Sequence, residues 1–230
     1  QLTRYAHLNN VKVLITLNIL IADSEMETAL DYAHKLMEAE VDGIIVQDIG
    51  LAYALRYVLP DSIEVHASTQ MTVTNSYGVN FAQELGLSQV VLAREVSLEN
   101  IAAIRQKSKL KLEGFGHGAL CSAYSGQCLM SSMMGGRSGN RGQCVQPCRM
   151  KYKLLDQQGN KTASKGEHLL STKDLCTLDI LSEMDQAGLN VIKLEGRMKR
   201  PEYVAVITRE YRRMLDAGLG DRSRLERSFN

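Results

Sequence analysis

Six short apolar runs recur along the chain, with longer amphipathic stretches between them. The runs are Lys12–Asn18 (KVLITLN), Gly43–Asp48 (GIIVQD), Ile63–Thr69 (IEVHAST), Gln89–Arg94 (QVVLAR), Lys109–Phe115 (KLKLEGF) and Asn190–Glu195 (NVIKLE). Each is rich in Val, Ile or Leu and nearly continuous in its apolar part, the pattern of a strand buried on both faces. Between them the spacing turns helical. In Ser24–Glu40 the residues Met26, Leu30, Ala33 and Met37 form one stripe, and Ser24 with Glu27 reads as a capping box. Leu51–Val58, Ser76–Leu85 and Leu98–Lys107 follow the same plan. Leu175–Ala187 reads as a long helix before the last strand, and Pro201–Ala217, with proline at its start, as the helix after it.

Strand–helix alternation of this kind implies a parallel sheet with helical crossovers. The expected fold is α/β, a TIM-like (β/α)8 barrel in one domain over residues 1–230, incomplete at the N-terminus. A closed barrel has eight units, so two would precede Gln1. An open doubly wound sheet is the alternative, weakened because no Gly-rich dinucleotide fingerprint follows any strand. Residues 116–171 break the rhythm. A βα loop usually has about 2–6 residues, so this segment is a Cys-rich insertion after the fifth visible strand. In a barrel it would lie over the C-terminal mouth, where active sites are built.

Four of the five cysteines fall inside that insertion, as C-x6-C-x15-C-x3-C: Cys121, Cys128, Cys144 and Cys148. Cys176 lies a further 28 residues on, at the expected start of a helix. Zinc sites usually pair ligands as C-x2–4-C twice, a spacing that Cys121 and Cys128 do not have. Uneven spacing within one loop suits an iron–sulfur cluster better; zinc and plain structural thiols remain open. The formal net charge is +1, yet from Gly114 to Lys153 every charged residue is basic: Arg137, Arg141, Arg149, Lys151 and Lys153. That asymmetry suits an anionic partner such as RNA or a charged small molecule, or simply a solvated loop. No apolar run is long enough to span a bilayer and no signal peptide is visible. A cytoplasmic protein with no membrane partner is therefore expected, in which clustered cysteines point to metal or redox chemistry rather than disulfides.

In a barrel the strand ends would converge on one mouth. They carry Asn18, Gln47, Asp48, His66, Ser68, Gln70, Arg94, Glu95, Glu113, His117, Lys193, Glu195 and Arg197. From this set His66, Glu113, His117, Lys193 and Glu195 are the candidate catalytic residues. Asp48, Gln70, Arg94, Arg137, Arg141 and Arg197 are the candidate substrate-binding residues. His66 can move a proton near neutral pH, and the arginines can clamp carboxylate or phosphate. Some of these groups can instead cap helices or pair with one another, as Lys193 could with Glu195. No Ser-His-Asp order, HExxH motif or Cys-His nucleophile pair is present.

Residues 113–132 read EGFGHGALCSAYSGQCLMSS. This resembles the signature of the U32 family, historically called peptidases or collagenases, through Glu113, Phe115, Gly118, Ala119, Cys121, Gly126, Cys128 and Ser131. RGQCVQPCR, STKDL and KLEGRMKRPEYV resemble further family blocks, so the similarity covers nearly the whole chain. The resemblance implies oxygen-independent hydroxylation of RNA, at a 23S rRNA cytidine or a tRNA wobble uridine, with prephenate as possible cosubstrate. It implies a [4Fe–4S] cluster on Cys121, Cys128, Cys144 and Cys148, with Cys176 as alternate ligand. A branch serving ubiquinone synthesis fits less well, because the CxxxCR pair and the basic loop resemble RNA-acting members. The older family label implies proteolysis, for which these residues show no machinery. A non-catalytic RNA-binding module with a structural metal is the third expectation.

Overall fold

The computed structural model describes residues 1–164 and 166–227. After a short helix α1 (Leu2–His7), strands and helices alternate: β1 (Leu14–Leu17), α2 (Asp23–Glu38), β2 (Gly43–Val46), α3 (Ile49–Val58), β3 (Glu64–Ala67), α4 (Ser76–Glu84), β4 (Gln89–Val91), α5 (Leu98–Lys107) and β5 (Lys111–Gly118). The insertion follows, with helix α6 (Met130–Gly135). Then come β6 (Leu175–Cys176), α7 (Leu181–Gln186), β7 (Val191–Leu194), α8 (Pro201–Ala217) and α9 (Arg222–Arg227). β1 to β5 pair in sequence order and β7 pairs with β5, all parallel, in a sheet curled into a half-barrel. These six parallel strands are the six apolar runs of the sequence. Among the described residues no pairing joins β7 to β1.

Register assigns the two faces. Ile44 pairs with Val65, Ala67 with Val90, and Val90 with Leu112. This aliphatic row belongs to a core shared with Ala33, Leu51, Leu55, Val79, Ile101 and Ile104 of the surrounding helices. On the opposite, inner face, His66 pairs with Gln89, Val91 with Glu113, and Phe115 with Lys193. The strands therefore read as apolar because their outer face is covered by helices, while their inner face carries polar groups.

Three local expectations are corrected. Helix α2 is capped at Ala22, whose N–H donates to Glu25 at 2.8 Å, not by the Ser24–Glu27 pair. The long helix expected over Leu175–Ala187 is split. Leu175 and Cys176 pair antiparallel with the end of β5, and the helix begins only at Leu181. Cys176 thus sits in a strand opposite His117, not at a helix start. The physical reason is hydrogen bonding: β5 runs on to Gly118, past its pairing with β4, and Leu175–Cys176 pairs with that extension. α8 forms as expected, with Pro201 in its first turn and Gly218 in the left-handed cap position. It buries Tyr203, Ile207 and Tyr211, together with Glu210, which is enclosed by Arg209, Arg213 and Arg224. No described helix is long and apolar enough to cross a membrane.

Candidate functional site

The inner face of the half-barrel holds a buried polar layer. The Glu113 carboxylate on β5 accepts from Gln89 Nε2 at 2.5 Å and from Lys193 Nζ at 3.2 Å. Lys193 also lies 5.8 Å from the Phe115 ring centroid. On β3, His66 Nε2 lies 2.9 Å from a Glu64 oxygen, and the other Glu64 oxygen accepts from Lys12. A carboxylate only accepts, so Nε2 carries the proton and Nδ1 of the neutral ring is an acceptor. Burial lowers the His66 pKa below its ordinary value against the opposing pull of Glu64 and Glu113, which favours this neutral form. Two buried polar atoms here have no partner, His66 Nδ1 and Gln47 Oε1. Such orphans point to a ligand or an ordered water. Because both are acceptors, the missing group is a donor.

The cysteine loop covers the mouth above this layer and is fastened at three places. Ser125 is fully buried. Its N–H donates to Glu95 at 2.7 Å, its carbonyl accepts from Thr72 Oγ1 at 2.8 Å, and its hydroxyl receives the Arg94 N–H at 3.1 Å. Next to it, Gly126 has φ +67, and a Cβ there would lie 2.2 Å from the Gln70 carbonyl. Only glycine permits both that conformation and that approach. Further on, Arg141 donates to both Glu25 oxygens and to the Leu20 carbonyl. The guanidinium and the Ala22 N–H hold the Glu25 carboxyl down at about 2. Finally, Arg149 donates to the carbonyls of Leu120 and Thr172 and to the Ser171 hydroxyl.

Each expected site residue now has a place. His66, Glu113 and Lys193 meet on the inner face. His117 does not join them: a bulge between Phe115 and His117 disturbs the alternation. Its ring is 1% exposed and packs on Tyr203 and Tyr211 of α8, 3.3 Å from the Tyr211 hydroxyl. Burial drives its pKa down to about 4. Glu195 accepts from the Arg197 N–H at 2.7 Å, in the turn after β7. Asp48 is held locally, capping α3 through Leu51 N–H and receiving Ile21 N–H. Gln70 lies in the turn beneath Gly126. Arg94 donates to the Ala123 carbonyl, so it braces the loop. Arg141 is committed to Glu25, whereas Arg137 and Arg197 are exposed. Glu64, Gln89, Ser125 and Glu25 were missed, and Glu95 was named only among the strand-end polar groups, without a role. Glu64 and Gln89 were visible as polar residues inside apolar runs, but the loop partners are set only by tertiary contact.

All five cysteines are free thiols. Cys121 and Cys144 are exposed, and Cys128 and Cys148 are half-buried. Four thiols on one loop are the donor chemistry an iron–sulfur cluster needs. Their backbone segments are tied together: Arg149, beside Cys148, binds the carbonyl of Leu120, beside Cys121, and Val145 N–H, beside Cys144, donates to Ser131 at 3.1 Å. The sulfurs themselves are not gathered. Among the described residues, no three His, Cys, Asp or Glu side chains are close enough to hold a metal ion.

The model for peptidase family U32 matches residues 1–229. A 23S rRNA 5-hydroxycytidine synthase of Escherichia coli (strain K12) is 43% identical over 99% of this chain and 34% of its own length. A tRNA hydroxylation protein of Bacillus subtilis (strain 168) is 40% identical, over 94% of this chain and 52% of its own. An uncharacterized protease of Methanocaldococcus jannaschii is 39% identical, over 94% of this chain and 54% of its own. The chain therefore spans between a third and about half the length of these curated relatives. The chain belongs to peptidase family U32.

Proposed function

We propose that this chain is part of an RNA-hydroxylating enzyme that acts on a pyrimidine of ribosomal or transfer RNA and works without molecular oxygen. The observation that carries this reading is the likeness, at 43% and 40% identity, to two relatives named for RNA hydroxylation. The site supports it. A buried carboxylate held by Gln89 and Lys193 sits below a loop of free thiols at one mouth, an arrangement suited to moving protons beside a redox centre.

In this reading Cys121, Cys128, Cys144 and Cys148 would hold a [4Fe–4S] cluster, with Cys176 as alternate. When bound, such a cluster supplies electron transfer or Lewis acidity. The residues of this chain do the rest. Glu113 is the proton-carrying group, kept in place by Gln89 and Lys193. His66 Nδ1 and Gln47 Oε1 accept hydrogen bonds from hydroxyl groups of a small ligand. An anionic cosubstrate such as prephenate brings a carboxylate, which Lys193 can meet, and a hydroxyl, which can donate to one of the two open acceptors. The peptidase reading has a relative named as a protease at 39% identity, but the site offers it no machinery. His66 Nδ1 has no hydrogen-bond partner, so no serine or cysteine is placed against it, and His117 is enclosed by two tyrosines.

Mass spectrometry of RNA from a deletion strain tests the proposal. Loss of one hydroxylated pyrimidine, restored by the wild-type gene and not by Glu113→Gln, is expected. An RNA profile unchanged by the deletion would contradict it.

A further inference from the structure

The cations of the cysteine loop are mostly engaged within the protein. Arg141 binds Glu25, Arg149 binds three loop groups, and Lys151 pairs with Glu167 at 2.7 Å. A charge already paired adds little to the capture of a phosphate chain. Arg137 and Lys153 of the loop are exposed and have no partner among the described residues, but positive charge is denser along the chain in the turn Arg197-Met198-Lys199-Arg200 between β7 and α8. All four residues are exposed. The side chains of Arg197 and Arg200 have no partner among the described residues. Lys199 is tied to Asp174 at 3.2 Å and lies 4.8 Å from the Tyr203 ring centroid. Three carboxylates offset part of this charge: Glu195, which accepts the Arg197 N–H, Asp174, which pairs with Lys199, and Glu202 in the first turn of α8.

Position strengthens the charge argument. β7 is parallel to β5, so this turn leaves the sheet at the same end as the cysteine loop. The two touch: a Cβ on Gly118, three residues before Cys121, would lie 2.2 Å from the Glu195 carbonyl, and Gly118 has φ +111. Thr172 Oγ1 donates to the Leu120 carbonyl at 2.7 Å, and Asp174, two residues on, holds Lys199. Unpaired Lys173 lies between these two contacts and extends the same positive edge. Met198, 87% exposed between Arg197 and Lys199, adds an apolar surface on which a base can rest.

We infer that the Arg197–Arg200 turn, more than the cysteine loop, is the surface that grips the phosphates of a single-stranded RNA segment and lays it beside the thiols. This rests on the RNA reading above and names the part of the surface that serves it. The turn positions the strand and takes no part in the chemistry.

The test is binding of a short fluorescent single-stranded RNA by the whole chain across a salt series. Arg197→Ala/Arg200→Ala should lower the slope of log K against log salt by about 1.4, from about 0.7 per phosphate on a single strand. Lys107→Ala/Lys109→Ala, which removes equal charge at the opposite end of the sheet, should leave the slope unchanged. Arg197→Lys/Arg200→Lys should keep it, since phosphate contact here needs charge. Salt-dependent binding by the wild type with both alanine pairs behaving alike would overturn the inference while leaving RNA as the substrate. No binding of RNA by the wild type would remove both.

Discussion

His117 shows what burial does to a titrating side chain in this protein. Its pKa of about 4 lies below the ordinary 6.5, because the ring is enclosed by Tyr203 and Tyr211. The unfolded chain therefore binds more protons than the folded one between these values, and stability rises with pH across that window. The contribution is complete above pH 6.5 and is lost on acidification toward pH 4. It is worth on the order of 3 kcal/mol at about 1.4 kcal/mol per pH unit. His66, lowered in the same direction, adds to the slope. Denaturant titrations from pH 4 to 7 should show this rise, and His117→Gln should flatten much of it. An unchanged slope in that variant would assign the effect to other groups. In the sequence both histidines ended apolar strands and looked alike. Only the bulge after Phe115 separates one that faces the inner layer from one that packs under α8, and a bulge has no composition signal here.

The cysteine loop behaves as a cover because of where it is fastened. Ser125 and Gly126 press on the turn after β3 and the loop after β4, Arg141 reaches α2, and Arg149 closes the loop on itself. Gly126→Ala should shift the loop, since its Cβ would meet Gln70 and Thr72 and its φ would be strained. A loss of about 1–3 kcal/mol is expected from strain of this kind, with faster proteolytic cutting between residues 120 and 150 than in the wild type. Unchanged melting and cutting would show that the loop is not held there. The parallel strands were legible because burial makes them apolar, and α8 because Pro201 and Gly218 mark its ends. The fastenings were not, because Arg141 and Arg94 look like free substrate clamps until Glu25 and the Ala123 carbonyl are brought to them.

The half-barrel places two different chemistries at one end: a buried carboxylate held by Gln89 and Lys193 on its inner face and four free thiols in the loop above. The account depends on those thiols closing around iron. Anaerobic purification followed by iron and sulfide analysis measures this directly. About four irons and four sulfides per chain are expected for one [4Fe–4S] cluster. Serine at Cys121, Cys128, Cys144 or Cys148 should abolish most of the iron, and serine at Cys176 should not. Protein that carries one zinc per chain, or keeps its iron after all four loop substitutions, would contradict the account.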